Sequence, residues 1–315
     1  MNEHDKLFKE IESVKENAAD LIRSVFPKEI INEIDLDSLQ LDNNSYTDKQ
    51  LKDHYIDLVY NCKRKDNRCV TVTLLFEHKS FKPKNEYLQL LRYMTNIWSY
   101  QEKNRENLTL IVPIIFYHGK QRWKIVPFKD LFNGCDENWG QFVPDFRYLL
   151  TDVARYDDET IKNKLYKREF NRALVLIFKY IGNESLLFEK LYDIMFQLKE
   201  YLDNEKDVQL IMSFLTYMMS LTNITAEYLT TITRQISEKG EDIVMSTAMK
   251  LREEGKLEGR LEGKLEGKLE GINEGITKGK LETAQKMILK GFSVQEIAEI
   301  TGISEKEINS LKKMR

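Results

Sequence analysis

The stretch "CVTVTLLFEHK", Cys69 to Lys79, constrains the fold more than any other. Up to Phe76 its residues are β-branched, aliphatic or aromatic on both faces of an extended chain, which suits a strand inside a sheet and argues against an edge. Such a strand needs cover on both sides, so the sheet belongs in a layered α/β arrangement. The run then breaks on Glu77-His78-Lys79, a carboxylate and an ammonium two residues apart where burial disfavours both charges.

The neighbouring segments complete that arrangement. "HYIDLVYNC" is a second β-rich run, separated from the first by "KRKDNR", a polar segment of hairpin length. Upstream, residues 5–25 space their apolar side chains by three and four, as one amphipathic helix closed by Pro27. Residues 36–47 are polar with short apolar alternation and predict an irregular first strand. Downstream, "KNEYLQLLRYMTNIWSYQEKN" has helical spacing, and "LTLIVPIIFYHG" is a buried strand ending in a glycine turn. The predicted order is helix, strand, strand, strand, helix, strand. After a loop-rich stretch holding Trp123, Pro127, Trp139 and Pro144, strand signals fade, and residues 160–240 carry long helical patterns.

With 315 residues the chain has room for about two domains. A net charge of -3 argues against a polybasic binder, so contact with nucleic acid would run through a local patch or metal ions. Cys62, Cys69 and Cys135 lack zinc-site spacing and read as reduced thiols of a cytoplasmic protein. The four histidines show no paired spacing, which argues against a zinc enzyme. "MNEHDKLFKEIE" has no apolar signal core, and no apolar run approaches the ~20 residues of a membrane span, so secretion and insertion are not expected. With no GxxxxGK loop, ATP-driven chemistry is unsupported.

From residue 250 glycine recurs at a strict period of four, at Gly255, Gly259, Gly263, Gly267, Gly271, Gly275 and Gly279, with Leu257, Leu261, Leu265 and Leu269 in step. A step of four overshoots one helical turn by about 40°, so both rows wind slowly round a helix. Each glycine costs roughly 0.8–1 kcal/mol of helix stability relative to alanine. Two readings stand: a helix that self-associates or docks, and a loosely helical linker. Beyond it, Ser293 and Glu296 form a capping-box pattern, and "GIS" separates two short helices at helix-turn-helix spacing, suited to DNA or to protein.

Asp57 interrupts "YIDLVY". If the turn lies in "KRKDNR", the two strands run antiparallel and bring Asp57 level with the far end near Glu77, with Lys79 on the strand face of Glu77. Two close carboxylates repel and favour a hard divalent cation such as Mg²⁺. Lys79 can then contact a phosphate or the attacking water, a set suited to phosphodiester hydrolysis. The bland readings are a solvated Asp57 and an ion pair of Lys79 on a sheet edge; the apolar run into Glu77 argues against the edge. His78 falls on the opposite strand face, His118 ends the next strand and is a weaker candidate, and Asp5, Glu10 or Glu12 could add a carboxylate from the first helix.

Asp, hairpin, then Glu-x-Lys at the end of the next strand, followed by a helix and a strand, resembles the PD-(D/E)XK nuclease superfamily. More narrowly, "HDKLFK", "YIDLVY", "LFEHKS", "YLQLLRY" and "VPIIFYHGKQRW" resemble the Rpn family of recombination-promoting nucleases, often labelled putative transposases. The likeness is strongest over residues 4–130, and the "EG" repeats and "SVQEIAEITGIS" extend it to the end. "YID" stands where the motif's name has Pro-Asp. The resemblance implies an α/β fold with a restriction-endonuclease-like core, α-β-β-β-α-β with a mixed sheet, followed by an all-helical region and a C-terminal helical tail. It implies Mg²⁺-dependent (or Mn²⁺-dependent) endonuclease activity on DNA, in recombination, mobile DNA or phage defence. Asp57 and Glu77 would be the metal ligands, Lys79 the catalytic lysine and Gln89 a residue that positions lysine and substrate, with Tyr93 one turn on. Helix packing alone would also account for Gln89 and Tyr93.

The expected organisation is a nuclease core over 1–150, a helical region over 151–249, the glycine-striped helix or linker over 250–282 and a helical hairpin over 283–315. A double-strand cut needs two active sites, so a homodimer through the helical region or tail is expected. A short product starting at Met245 would carry only the tail and could regulate the full chain. The competing readings are a catalytically inactive DNA-binding or assembly protein on a nuclease-like fold, and a scaffold driven by the tail.

Overall fold

The computed structural model describes residues 3–42, 57–66, 69–77, 85–204 and 207–313. It opens with two helices, α1 (Glu3–Glu12) and α2 (Lys15–Val25), where periodicity predicted one. The break falls at Val14, which is extended (φ -78°, ψ 118°), and the Asn17 side-chain amide donates to the Ile11 carbonyl across it at 2.9 Å. Apolar spacing cannot reveal such a break, because both halves bury the same kind of stripe. A single turn, α3 (Lys28–Ile31), leads to β1 (Ile34–Asp42), β2 (Asp57–Arg64), β3 (Cys69–Glu77), α4 (Glu86–Lys103) and β4 (Leu110–Tyr117). Short α5 (Glu137–Gly140) precedes β5 (Leu149–Asp152), a strand that the sequence reading missed because four residues are too few to show alternation.

The sheet order is β1-β2-β3-β4-β5. The first two pairings are antiparallel and the last two parallel. The sheet is therefore mixed, with β3 at its centre, as the two-faced run demanded. The α4 crossover joins β3 to the parallel β4, a connection that lays the helix on one face of the sheet. That face holds Val59, Ile115 and Tyr117 packed with Tyr87, Leu90 and Tyr93 of α4 and with Trp123 and Phe128 of the following loop.

The other face carries Leu58, Tyr60, Val72, Ile114 and Phe116 in one continuous core with α1, α2 and the helices that follow. After the short α6 (Asp158–Thr160), which buries no residue, these are α7 (Glu169–Tyr180), α8 (Glu184–Phe196), α9 (Lys199–Asn204), α10 (Val208–Leu221) and α11 (Ala226–Ile236). The helical region thus completes the core of the sheet. Asp20 ties the two together: its carboxylate accepts from the backbone N–H groups of Lys167 and Arg168 at 2.8–3.1 Å.

The chain divides into two compact units, Met1–Ala248 and Met249–Arg315. Helix α12 (Gly240–Leu289) is 50 residues long; α13 (Val294–Thr301) and α14 (Glu305–Lys313) follow. Ser293 and Glu296 form the predicted capping box. Ser304 and Glu307 repeat the same exchange, and Gly302 makes the turn between them in the left-handed region at φ 66°. Ala284, Ile297, Ile303 and Ile308 are the small core of this unit. Added over the seven glycines, the helix cost relative to alanine is roughly 6–7 kcal/mol. Among the described residues, no helix is long and apolar enough to cross a membrane.

Candidate nuclease site at the strand ends

Asp57 is the first residue of β2 and Glu77 the last of β3. In the antiparallel register Asp57 pairs with Leu75, so positions 57 and 77 are diagonal neighbours on one face, a relation that sets Cα atoms about 7–8 Å apart. The face is that of Val59, Ile115 and Tyr117, against which α4 packs. The side chains of Asp57 and Glu77 are outside the described part of the structure, and Lys79 and His78 lie outside the described residues. The backbone thus bears out the hairpin and the shared face.

Register carries the site across the sheet. Glu77 pairs with Tyr117 of β4, and Tyr117 with Asp152 of β5. Tyr117 and Asp152 are both buried. A Cβ on Gly119 would collide with the Tyr117 phenol, so the chain must leave β4 through glycine for the ring to fold back there.

Asp152 anchors a polar chain that the sequence reading did not find. Its Oδ2 accepts from the Trp123 backbone N–H and from Arg155 Nε, each at 3.2 Å. Arg155 also donates to the Trp123 carbonyl at 2.6 Å. The Trp123 indole N–H donates to the Tyr148 hydroxyl at 3.0 Å, and Tyr148 donates to Glu86 Oε1 at 3.3 Å. Burial, reinforced by the charge of Glu86, pushes the Tyr148 phenol well above the usual tyrosine range, so it remains a donor. Glu86 is itself buried in the first turn of α4. The chain therefore ties the start of α4, which carries Gln89, to Tyr148 just before β5 and, through Trp123 in the loop after β4, to Asp152 at the end of β5. One signal was visible: like Glu77, Asp152 is a carboxylate closing an apolar run, "YLLTD".

Gln89 is half-buried on α4, one turn from Tyr93, which lies in the apolar core of this face. Packing accounts for the Tyr93 ring. His118 is on the opposite face, stacked on Phe178 at 4.8 Å and 5.1 Å from the His4 ring. Alternation along β4 explains the difference, since residues 117 and 118 face opposite ways.

The first-helix carboxylates separate along the same axis. His4 meets His118 and Phe8 meets Phe116, so the N-terminal turn of α1, with buried Asp5, stands at the sheet end that holds Glu77. Glu12 is further along, where the Tyr60 hydroxyl donates to its backbone carbonyl. The Glu12 carboxyl is buried, and neither oxygen has a hydrogen-bond partner among the described residues. Burial, then the nearby charge of Asp20, holds it well above the usual carboxylate range.

The family described as "Putative transposase, YhgA-like" matches residues 2–209. The chain belongs to this family. It is 25% identical over 261 residues to the inactive recombination-promoting nuclease-like protein RpnE of Escherichia coli (strain K12), covering 80% of this chain and 82% of that one. It is 28% identical to the recombination-promoting nuclease RpnD of Escherichia coli O157:H7, over 58% of this chain and 70% of that one. To the recombination-promoting nuclease RpnA of strain K12 it is 22% identical, over 97% and 95% of the two chains. No solved structure matches the chain. Family membership and fold together bear out the resemblance drawn from the motifs. The relatives include proteins named as nucleases and proteins named as inactive.

Proposed function

We propose that this protein is a metal-dependent DNA endonuclease whose site lies at the ends of β2 and β3. The observation that carries the reading is the register, which gives positions 57 and 77 one sheet face and diagonal neighbourhood under α4. Two carboxylates at such positions are a hard-oxygen donor set, fitting Mg²⁺ or Mn²⁺ better than a soft-ligand metal. Asp57 and Glu77 would hold the ion, which when bound supplies charge stabilisation at the phosphate and a more acidic water. Lys79 would orient that water or contact the phosphate, and Gln89 would position the lysine and substrate. The Asp152–Trp123–Tyr148–Glu86 chain supports the reading by tying the start of α4 to the end of β5, whose last residue Asp152 pairs with Tyr117 beside Glu77. DNA as the substrate is inferred from the nuclease names of the relatives.

The test is cleavage of supercoiled plasmid in Mg²⁺. Wild-type protein is expected to nick or linearise it, and EDTA to abolish this. Asp57→Ala and Lys79→Ala are each expected to lower the rate by about a hundredfold or more. The likeness to a relative named as inactive favours a second reading, a DNA-binding or assembly protein on the same fold. Retention of DNA in EDTA without cleavage in Mg²⁺ would select it.

A further inference from the structure

The segment between β4 and β5 has an inner and an outer side. Inside, Phe128 stacks on Tyr87 of α4 at 4.9 Å between ring centroids, and Phe146 and Tyr148 meet the same ring edge-on. That packing lays the segment against the start of α4, on the sheet face shared by positions 57 and 77. Outside, Trp139 is 65% exposed and Phe142 75% exposed, with their ring centroids 6.2 Å apart and the planes tilted by 51°. Among the described residues, neither ring belongs to an apolar core. Their backbone is nevertheless fixed. The Asp136 carboxylate accepts from the N–H groups of Asn138 and Trp139 at 2.8 and 3.1 Å, and the Phe142 N–H donates to the Trp139 carbonyl at 3.0 Å. An ordered turn that holds an indole and a phenyl ring in water marks an interaction site.

Position and charge choose the occupant. The segment starts where β4 ends, at Tyr117, which pairs with Glu77, so it borders the strand ends where a nucleic acid strand would be cut. Between residues 120 and 147, the five cations Lys120, Arg122, Lys124, Lys129 and Arg147 are set against the four carboxylates Asp130, Asp136, Glu137 and Asp145. So near a balance supplies little attraction for phosphates, and affinity here has to come from the ring faces. Bases in closed duplex already stack on one another. Unpaired bases have faces to offer.

We propose that Trp139 and Phe142 form a stacking platform for unpaired bases, so that the protein engages single-stranded or locally opened DNA in preference to closed duplex. The inference rests on DNA being the substrate, as proposed above, and not on the metal chemistry.

Trp139 also supplies the readout. Of the three tryptophans, Trp123 is fully buried and Trp98 is half-buried with its indole N–H donating to the Thr109 carbonyl, so a base stacked on Trp139 quenches the most exposed indole. The test titrates the full chain, with Ca²⁺ in place of Mg²⁺, against a labelled oligothymidylate of about 20 nucleotides and a closed hairpin duplex of the same length. Tryptophan fluorescence should fall with the single strand, which should bind at least about tenfold more tightly than the duplex. By anisotropy of the labelled strand, Trp139→Ala and Phe142→Ala should each weaken binding by at least about fivefold, and Trp139→Phe should keep most of the affinity. Wild-type affinity in both alanine variants, or tighter binding of the duplex, overturns the proposal. So does a change in sedimentation of the alanine variants with DNA affinity intact, which would make the rings a contact between protein copies. Plasmid cleavage in Mg²⁺ keeps the two readings apart. Quenching without cleavage sinks the nuclease and leaves the platform standing, whereas cleavage with alanine variants of full affinity does the reverse.

Discussion

Leu191 and Leu265 are the same residue in two helices of one chain, yet Leu191 in α8 is fully buried and Leu265 in α12 is 61% exposed. The first unit buries its apolar surface internally, with the helices after residue 158 closing one face of the sheet and α4 the other. The repeat leaves its apolar row outward. Stability of the first unit thus rests on apolar burial within one chain, whereas the repeat row has no such burial.

The comparison breaks most visibly under truncation. Leu191→Ala is expected to destabilise the first unit by about 2–5 kcal/mol in urea unfolding, and Leu265→Ala to change folding of the dilute chain by less than about 0.5 kcal/mol. Equal losses would mean that the repeat row is buried within the monomer.

A smaller effect belongs to Glu12, a carboxyl that burial has stranded in the first unit. Glu12→Met is expected to stabilise by about 1–3 kcal/mol at neutral pH, since it removes an unsatisfied buried group. The sign with pH follows from the raised pKa: the folded state holds the proton more tightly than the unfolded state. Stability contributed by the protonated form is complete below the ordinary carboxylate range and is lost as pH rises towards the raised value. Melting temperature of the wild type should fall over that window, and that of the variant should not. Parallel curves would mean that Glu12 finds a partner in solution.

Smallest is Gly263→Ala. A Cβ there meets nothing within 4 Å, and the change is expected to add about 0.8–1 kcal/mol of helix stability, read as increased helicity. Lower helicity in this variant would mean that the glycine row meets another surface in solution.

Much of the site-bearing fold was legible because it rests on local patterns. The β2–β3 hairpin followed from two β-rich runs around a polar spacer, α4 from its period, and the α13 cap from Ser293 and Glu296. What escaped depended on distant parts of the chain. β5 is recognisable only by its pairing with β4. Asp152 gains its role from Trp123, 29 residues away. His118 was only a weaker candidate for the strand-end site, and its side of the sheet follows from β4 alternation once Tyr117 is set beside Glu77.

The sequence by itself determined β2, β3, α4 and β4, the hairpin that brings Asp57 towards Glu77, and the period-four rows of the tail, because these depend on neighbours within a few turns or one hairpin. Only the tertiary structure decided that the helical region completes the sheet's core, that Asp5 rather than Glu12 reaches the strand-end side, and that a polar chain from Asp152 to Glu86 anchors α4. Those outcomes depend on which faces meet across 100 or more residues of chain, or across the sheet, and burial and hydrogen bonding settle them only once the faces have met.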